Sequence, residues 1–495
     1  MKRAIIFLLV VGLLGTGLVS SLADQPASPT VLPTYGDLDL NGKSDASDAL
    51  TVLKFVVGKT TLYKTEEYYA NVNGDEWVNA SDALDILKKT VGKIDRFTAD
   101  KEPLHPTDFA FDSSVSQEVL CNYLSRATTI SQEAYEAKNG DQVVDFIIDT
   151  GAKYICRAAT CWNPHIEDYD TYPQLKDLID KVHAIDPDVV FEACIFECVS
   201  GSVNRIPIPA YVFEDFGLPA EERNFSFDAM CFETGSFKDQ WGAGTSVPDI
   251  TKLETQLFFY YRACEYIKLG YEGLHMGQVH LIGSEDAGWE NWTYLLTKIR
   301  DFAQINARRH FVFINAHTHG IYDNDGYLMF DFHMYPSRPA NEGTEAQIPT
   351  EDNPQRAYYD KYYNDSIYGK SKGGYTRSGW QCESLPYLVE IDNWGVDIEN
   401  LFVPNFPDTE CWGMDEISWF ANQPDWYRHY FLQYAYDYAN NTAAGDCFFA
   451  MPGQRTASIF DADKNKIGDT YRAYKSENHP NGFDDQQIIK QIWGN

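Results

Sequence analysis

Two twelve-residue stretches, Asp37 to Asp48 and Asn71 to Asp82, lie 34 positions apart and share one spacing. Each puts an oxygen-bearing side chain at positions 1, 3, 5, 9 and 12. In the first these are Asp37, Asp39, Asn41, Asp45 and Asp48; in the second, Asn71, Asn73, Asp75, Asn79 and Asp82. Such spacing wraps a chain around a hard cation such as calcium, which takes about six to eight oxygen ligands. Position 7, Lys43 and Trp77, supplies its backbone carbonyl, so its side chain is free to vary. Apolar periodicity behind each loop predicts a helix: Ala49, Leu50, Leu53, Phe55 and Val56 after the first, Ala83, Leu84, Ile86, Leu87 and Val91 after the second. The start of the chain is thereby committed to a small module made of one unit written twice.

A cation loop ending in Asp, one following helix and a duplication of this size resemble the type I dockerin domain, over roughly residues 35–95. The copies differ. Gly42 sits where the loop needs a positive φ, but the second copy has Glu76 there, and its position 1 is Asn71. Ser44 replaces the usual aliphatic residue at position 8. The first site is therefore expected to bind more tightly. The resemblance implies two calcium sites and a cohesin module of a scaffolding protein as partner. It also implies that loop positions 10 and 11 weigh in specificity. These are Ala46-Ser47 and Ala80-Ser81, identical in both copies, so two binding orientations related by a half turn are expected.

The chain opens with Met1-Lys-Arg, an apolar run from Ala4 to Leu14 and the small-x-small pattern Ser21-Leu22-Ala23. These read as a signal peptide over residues 1–23, and hence a secreted, scaffold-associated protein. Residues 24–34 and 96–106 read as linkers around the module. The net charge of −33 argues against nucleic acid and anionic membranes as partners. No later stretch is apolar enough to span a bilayer. Of ten cysteines, Cys156, Cys194, Cys198, Cys231 and Cys447 fall in apolar strand-like runs. The spacings Cys156 to Cys161 and Cys194 to Cys198 match no metal or redox motif, so mostly free, buried thiols are expected.

From residue 107 to 495, strand-like runs mostly alternate with helical ones. Candidate strands are Asn122–Thr128, Lys153–Thr160, Val189–Cys198, Gly273–Gln278, Phe311–His317, Leu328–His333, Pro386–Asp392 and Cys447–Met451. Helical patterns include Tyr172–Ile185, Thr251–Leu269, Trp292–Ala307 and Asp425–Ala439. The expected fold is a (β/α)8 TIM barrel, an α/β domain behind a small α-helical module, with too little chain for a helix between strands five and six. An open doubly wound sheet is the alternative.

In such a barrel, chemistry sits at the C-terminal strand ends. The polar residues expected there are Arg126, Arg157, Glu197, His275, Gln278, Asn315, His317, Asp331, His333, Glu390, Asp392 and Trp394. Paired carboxylates flanked by Arg, His, Asn and aromatics are the parts of a glycosidase. Glu390, near the end of strand seven, resembles the nucleophile of many retaining barrel glycosidases, whereas their Asn-Glu pair ending strand four is missing; Gln278 stands there, with Glu285 and Asp286 in the following loop. Glu390, Glu197 and Asp331 are therefore the candidate catalytic residues, with Asp392 in reserve. Aromatic residues make up 15% of the chain, and Trp162, Trp241, Trp289, Trp380, Trp394 and Trp412 are candidates to stack on sugar rings. A rival reading places a divalent metal on His317-x-His319, with His275, His280 and His333 nearby, for amide or ester hydrolysis. A third is a non-catalytic carbohydrate-binding or structural component. No Gly-x-Ser-x-Gly elbow, phosphate loop or dinucleotide fingerprint occurs.

Overall fold

The computed structural model describes residues 31–101, 104–131, 140–342, 349–359, 371–392, 415–441, 446–461, 465–476 and 479–494. The expected signal peptide, Trp394 and Trp412 lie outside them.

The duplicated unit folds as two equal helices, α1 (Ala46–Val56) and α3 (Ala80–Thr90), with α2 (Lys64–Ala70) between. Position 9 of each loop doubles as the N-cap: Asp45 accepts from Ser47 N–H and Asn79 from Ser81 N–H. Position 12 closes a reciprocal capping box, Asp48 to Asp45 N–H and Asp82 to Asn79 N–H. Ala49, Val52, Ala83 and Ile86 form the seam between α1 and α3, closed by Ala70, Val72 and Phe97. Gly42 has φ 81°, as its loop position requires, and Leu40 two residues earlier has φ 54°. The second loop turns instead at Gly74, φ 73°, two residues before Glu76.

Eight parallel strands close into a barrel: β1 (Ala127–Ile130), β2 (Tyr154–Ala159), β3 (Val190–Cys194), β4 (Gly273–His275), β5 (Phe313–Ala316), β6 (Phe332–Pro336), β7 (Tyr387–Glu390) and β8 (Cys447–Phe460). Closure is the parallel pairing of β1 with β8, Thr128 opposite Met451. β9 (Lys466–Arg472) extends β8 as an antiparallel partner. The main outer helices are α5 (Gly140–Thr150), α6 (Tyr172–Ile185), α7 (Leu253–Leu269), α8 (Glu290–Asn306), α10 (Asp425–Asn441) and α11 (Asp485–Ile492), with the short α9 (Glu416–Ala421) before α10. Between β5 and β6 there is no helix, only turns and short bridges.

The lower barrel interior is apolar: Ala127, Tyr154, Val190, Phe313, Phe332, Leu388 and Phe448 meet there. Its floor is α4 (Gln117–Leu124), which presents Val119, Leu120, Tyr123 and Leu124. Here the expected first strand is corrected. Asn122 to Leu124 belong to α4, whose apolar face has helical spacing and whose N-cap Ser116 accepts from Val119 N–H. β1 begins only at Ala127. The sixth strand is also displaced, starting at Phe332 near the end of the expected Leu328–His333.

The module lies against α10. Tyr68 packs edge-on to Tyr434 at 5.4 Å, and Tyr69 on Tyr430 at 6.1 Å. Tyr69 hydroxyl donates to Asp437 Oδ2 at 2.9 Å, and Asn441 Nδ2 donates to Tyr68 hydroxyl at 3.0 Å. Among the described residues nine cysteines are free thiols, six of them buried.

Candidate active site at the barrel mouth

Glu390 ends β7 and is fully buried. Alternation points it inward, since Val389 packs outward. Arg157 Nε donates to its Oε1 at 2.5 Å, and Arg455 Nη1 to its Oε2 at 2.8 Å. Arg455 also reaches Asp392 Oδ1 with Nη2 at 2.7 Å. Burial pushes Asp392 up, but Arg157 and Arg455 outweigh it and hold the carboxyl well below the usual range.

Arg157 reaches this position through a break in its own strand. β2 and β3 fall out of register between Ile155 and Ala159, and Arg157 there has φ 58°. A left-handed arginine inside a strand is strained, a feature found where surrounding contacts over-determine a functional geometry.

Glu197 lies three residues past β3. Gln278 holds both of its oxygens, donating backbone N–H to Oε2 at 3.0 Å and Nε2 to Oε1 at 2.8 Å. Burial raises the Glu197 carboxyl, opposed by these bonds and by Arg157. Gly277 permits this approach: its φ is 60°, and a Cβ there would stand 2.2 Å from Glu197 Oε2. Trp241 Nε1 donates to the Glu197 carbonyl at 2.9 Å, and Trp241 packs edge-on to Trp162 at 5.2 Å. Trp162 is 41% exposed, so an aromatic face that starts at the Glu197 backbone reaches solvent. Trp289 packs on His280 at 5.2 Å. Trp380 donates to the Val115 carbonyl beside the barrel floor, away from the mouth.

His275 ends β4 and His317 follows β5; their rings lie 4.7 Å apart, and Nε2 of each is buried without a hydrogen-bond partner among the described residues. Burial drives His317 down to about 3 and His275 well below the ordinary histidine range, so both are neutral. Asn315 on β5 bonds His275.

Three of the expected mouth residues lie elsewhere. Arg126 precedes β1 at the floor, donating to the Leu104 carbonyl and lying 5.5 Å from the Trp493 ring. Asp331 precedes β6 and faces outward: it accepts from Ile314 N–H at 2.8 Å and pairs with Arg300 of α8 at 3.6 Å. It is a structural ion pair outside the barrel and is withdrawn as a catalytic candidate. His333 alternates with the inward Phe332 and Met334, so it too faces out and bonds Ser371 Oγ at 2.8 Å. All three displacements follow from the shifted bounds of β1 and β6.

Sequence reasoning missed Arg455, Glu192 and Glu416. Arg455 lies beyond the expected strand end at Met451: β8 runs on to Phe460, and a register shift against β1 between Pro452 and Gln454 breaks the alternation that would have turned Arg455 outward. Glu192 lies inward on β3 and is pushed up to about 7 by burial. Glu416 opens α9, accepts from Asp392 N–H and Arg338 N–H at 3.1 Å each, and is pushed up to about 8 by burial.

Within the barrel, no three His, Cys, Asp or Glu ligand atoms converge among the described residues. The group that does is Asp37, Asp39 and Asp48 in the first loop, with ligand atoms all within 4.8 Å of one another. That donor set fits a calcium ion. In the second loop the amides turn to protein partners, Asn71 Nδ2 to the Asp75 carbonyl and Asn73 Nδ2 to Ser81 Oγ at 3.1 Å. Ala46, Ser47, Ala80 and Ser81 are all exposed.

Fold and site together define a closed (β/α)8 barrel with buried carboxylates, guanidiniums and neutral imidazoles converging at its C-terminal mouth. The sequence matches no protein-family model and no curated protein. Among solved structures, a cohesin–dockerin complex from Acetivibrio cellulolyticus displaying a type I interaction is similar at 31% identity, covering 13% of this chain and 92% of that chain, with a TM-score of 0.13. A debranching enzyme from Nostoc punctiforme is similar at 14% identity over 43% of this chain and 52% of that one, TM-score 0.28, so this chain spans about half of its length. YKL-39 in the presence of chitooligosaccharides is similar at 11% identity over 74% and 99%, TM-score 0.36. Among the described residues, no helix is long and apolar enough to cross a membrane.

Proposed function

We propose that this chain is a secreted glycoside hydrolase that cleaves O-glycosyl bonds in polysaccharides and docks through calcium-loaded loops onto a cohesin-bearing scaffold. The observation that carries the enzymatic half is the unlike setting of two mouth carboxyls. Glu390 has each oxygen taken by a guanidinium, which suits an anionic nucleophile or base. Glu197 is raised by burial and contacts amide donors, which suits an acid that protonates the leaving oxygen. Asp392, Arg157 and Arg455 fix the anionic side of the site. Trp162 and Trp241 offer a stacking face beside the acid.

For the docking half, Asp37, Asp39, Asn41, Asp45, Asp48 and the Lys43 carbonyl would hold the first calcium. Asn71, Asn73, Asp75, Asn79, Asp82 and the Trp77 carbonyl would hold a weaker second. The metal would neutralise the loop acids and fix the two helix starts. Each helix then offers a matching apolar stripe: Leu50 is 51% exposed and Leu84 52%, Val57 65% and Val91 66%. Exposed apolar patches of this kind mark protein partners. Their equivalence supports the two half-turn-related orientations.

The test incubates the full secreted chain with a panel of plant and microbial glycans, with and without EDTA, and measures new reducing ends. Release indifferent to EDTA supports the reading. Release abolished by EDTA and restored by a divalent metal would move the chemistry to the histidines, and silence on all glycans would favour a binding or structural role.

A further inference from the structure

Beneath the mouth, three side chains form a chain of hydrogen bonds that the acid–base pair does not use. Glu192 accepts from the Tyr154 hydroxyl at 2.9 Å, from Asn315 Nδ2 at 2.6 Å and from Arg157 N–H at 3.2 Å. The other amide atom of Asn315, Oδ1, lies 2.7 Å from His275 Nδ1. Gly273 leaves the space for this: a Cβ there would stand 2.5 Å from the Tyr154 hydroxyl and 3.0 Å from Glu192 Cβ.

With Glu192 in its carboxylate form, donor chemistry sets the direction of each bond. One Glu192 oxygen faces the Arg157 N–H, and the other faces Asn315 and Tyr154. Asn315 therefore turns its NH2 to Glu192 and its carbonyl oxygen to His275. A carbonyl oxygen only accepts, so the hydrogen sits on His275 Nδ1, a tautomer that follows from the network. Nε2 is left with a lone pair. That atom is buried, with no partner among the described residues. Leaving a buried acceptor unsatisfied costs about 1–3 kcal/mol, so a site that keeps one calls for a donor from beyond the described residues. The ring stays neutral, held down by burial and by the neighbouring His317 and Arg157.

We propose that Glu192 and Asn315 are positioning residues that fix His275 in the Nδ1–H tautomer, so that its Nε2 accepts a hydrogen bond from a substrate hydroxyl at the barrel mouth. The hydroxyl half of this rests on the glycosidase reading; the tautomer half does not. The arrangement selects a hydrogen-bond donor, as a sugar hydroxyl is; an ionised carboxylate could donate nothing to that lone pair.

The experiment is a long-range proton–nitrogen correlation spectrum of the full chain labelled with nitrogen-15 histidine, His275 being assigned by the signals lost in His275→Ala. Recorded near pH 8.5, above the value to which burial raises Glu192, the wild type is expected to show His275 as Nδ1–H. In Glu192→Gln the fixed Arg157 N–H holds the amide oxygen, so the NH2 faces Asn315 and Tyr154; Asn315 then turns over, and His275 switches to Nε2–H. Tyr154→Phe removes a donor without breaking the chain of bonds and keeps Nδ1–H. An Nε2–H wild type, or a tautomer unchanged in Glu192→Gln, would overturn the positioning role. On a glycan the chain cleaves, Glu192→Gln and His275→Ala should each lower kcat/KM about tenfold, and the double variant no further than either. Additive losses would overturn the hydroxyl role. An Nδ1–H signal with no turnover on any glycan would sink the glycosidase reading and the hydroxyl role together, while the positioning role would stand.

Discussion

Arg455 on β8 and Glu390 on β7 meet at 2.8 Å, both almost fully buried, on neighbouring strands of the barrel. The same guanidinium holds Asp392 at 2.7 Å, so one residue ties together the anionic side of the mouth. Arg455→Leu would leave two buried carboxylates short of a partner. The expected outcome is a stability loss of about 3–5 kcal/mol in urea unfolding, with turnover lost as well. Arg455→Lys keeps the charge but not the forked contact, and should retain most of the stability with reduced kcat.

Gly277→Ala tests the setting of the acid. The added methyl would stand 2.2 Å from Glu197 Oε2, on a backbone at φ 60°. Turnover should fall by at least roughly tenfold, with a stability loss of about 1–3 kcal/mol from the left-handed backbone. Steady-state kinetics and thermal unfolding check both.

The pH dependence of stability follows from buried acids. Glu192 and Asp437 are pushed up to about 7 and Glu416 to about 8, each chiefly by burial. Raised carboxyls bind their protons more tightly in the folded chain. The stability they lend is complete below the ordinary carboxylate range and is lost as pH rises to about 8. Asp392 and Asp485 act oppositely. Burial alone would raise them, but their arginine partners hold them low, and their contribution is lost only in strong acid. Thermal unfolding should therefore occur at higher temperature near pH 5 than near pH 8.5, by roughly a few degrees. Equal melting temperatures would contradict this balance.

Much of the barrel was legible because parallel strands buried on both faces read as apolar runs, and helices such as Tyr172–Ile185 carry a clear amphipathic period. What failed was local. The floor helix α4 ends two residues before β1, so its apolar face merged with the strand and carried Arg126 to the wrong end. Asp331 and Phe332 differ by one position, and that single step turns a side chain from the barrel interior to the outside. The mouth itself depends on long-range geometry that spacing cannot show. Arg157 reaches Glu390 only through a left-handed bulge, and Glu192 matters only because Asn315, 123 residues later, lies against it.

Calcium titration tests the module. Calorimetry on the full chain should show two sites of unequal affinity. Asp37→Ala should abolish the tighter one, since Asp37 belongs to the converging acid group. Equal sites, or a tighter second site, would contradict the assignment.

The contact between module and barrel is tested by Tyr69→Phe, which removes the 2.9 Å donor to the half-buried Asp437. Loss of about 1–3 kcal/mol is expected, with faster hydrogen exchange in α2 and α10.

The most direct measurement compares reducing-end release by the full chain with that of Glu390→Gln and Glu197→Gln at matched folded fraction. Each variant should lose roughly a hundred- to ten-thousand-fold in kcat. Glu197→Gln should recover selectively on aryl glycosides, whose leaving groups need no proton. Full activity in Glu390→Gln would contradict the assignment of the site.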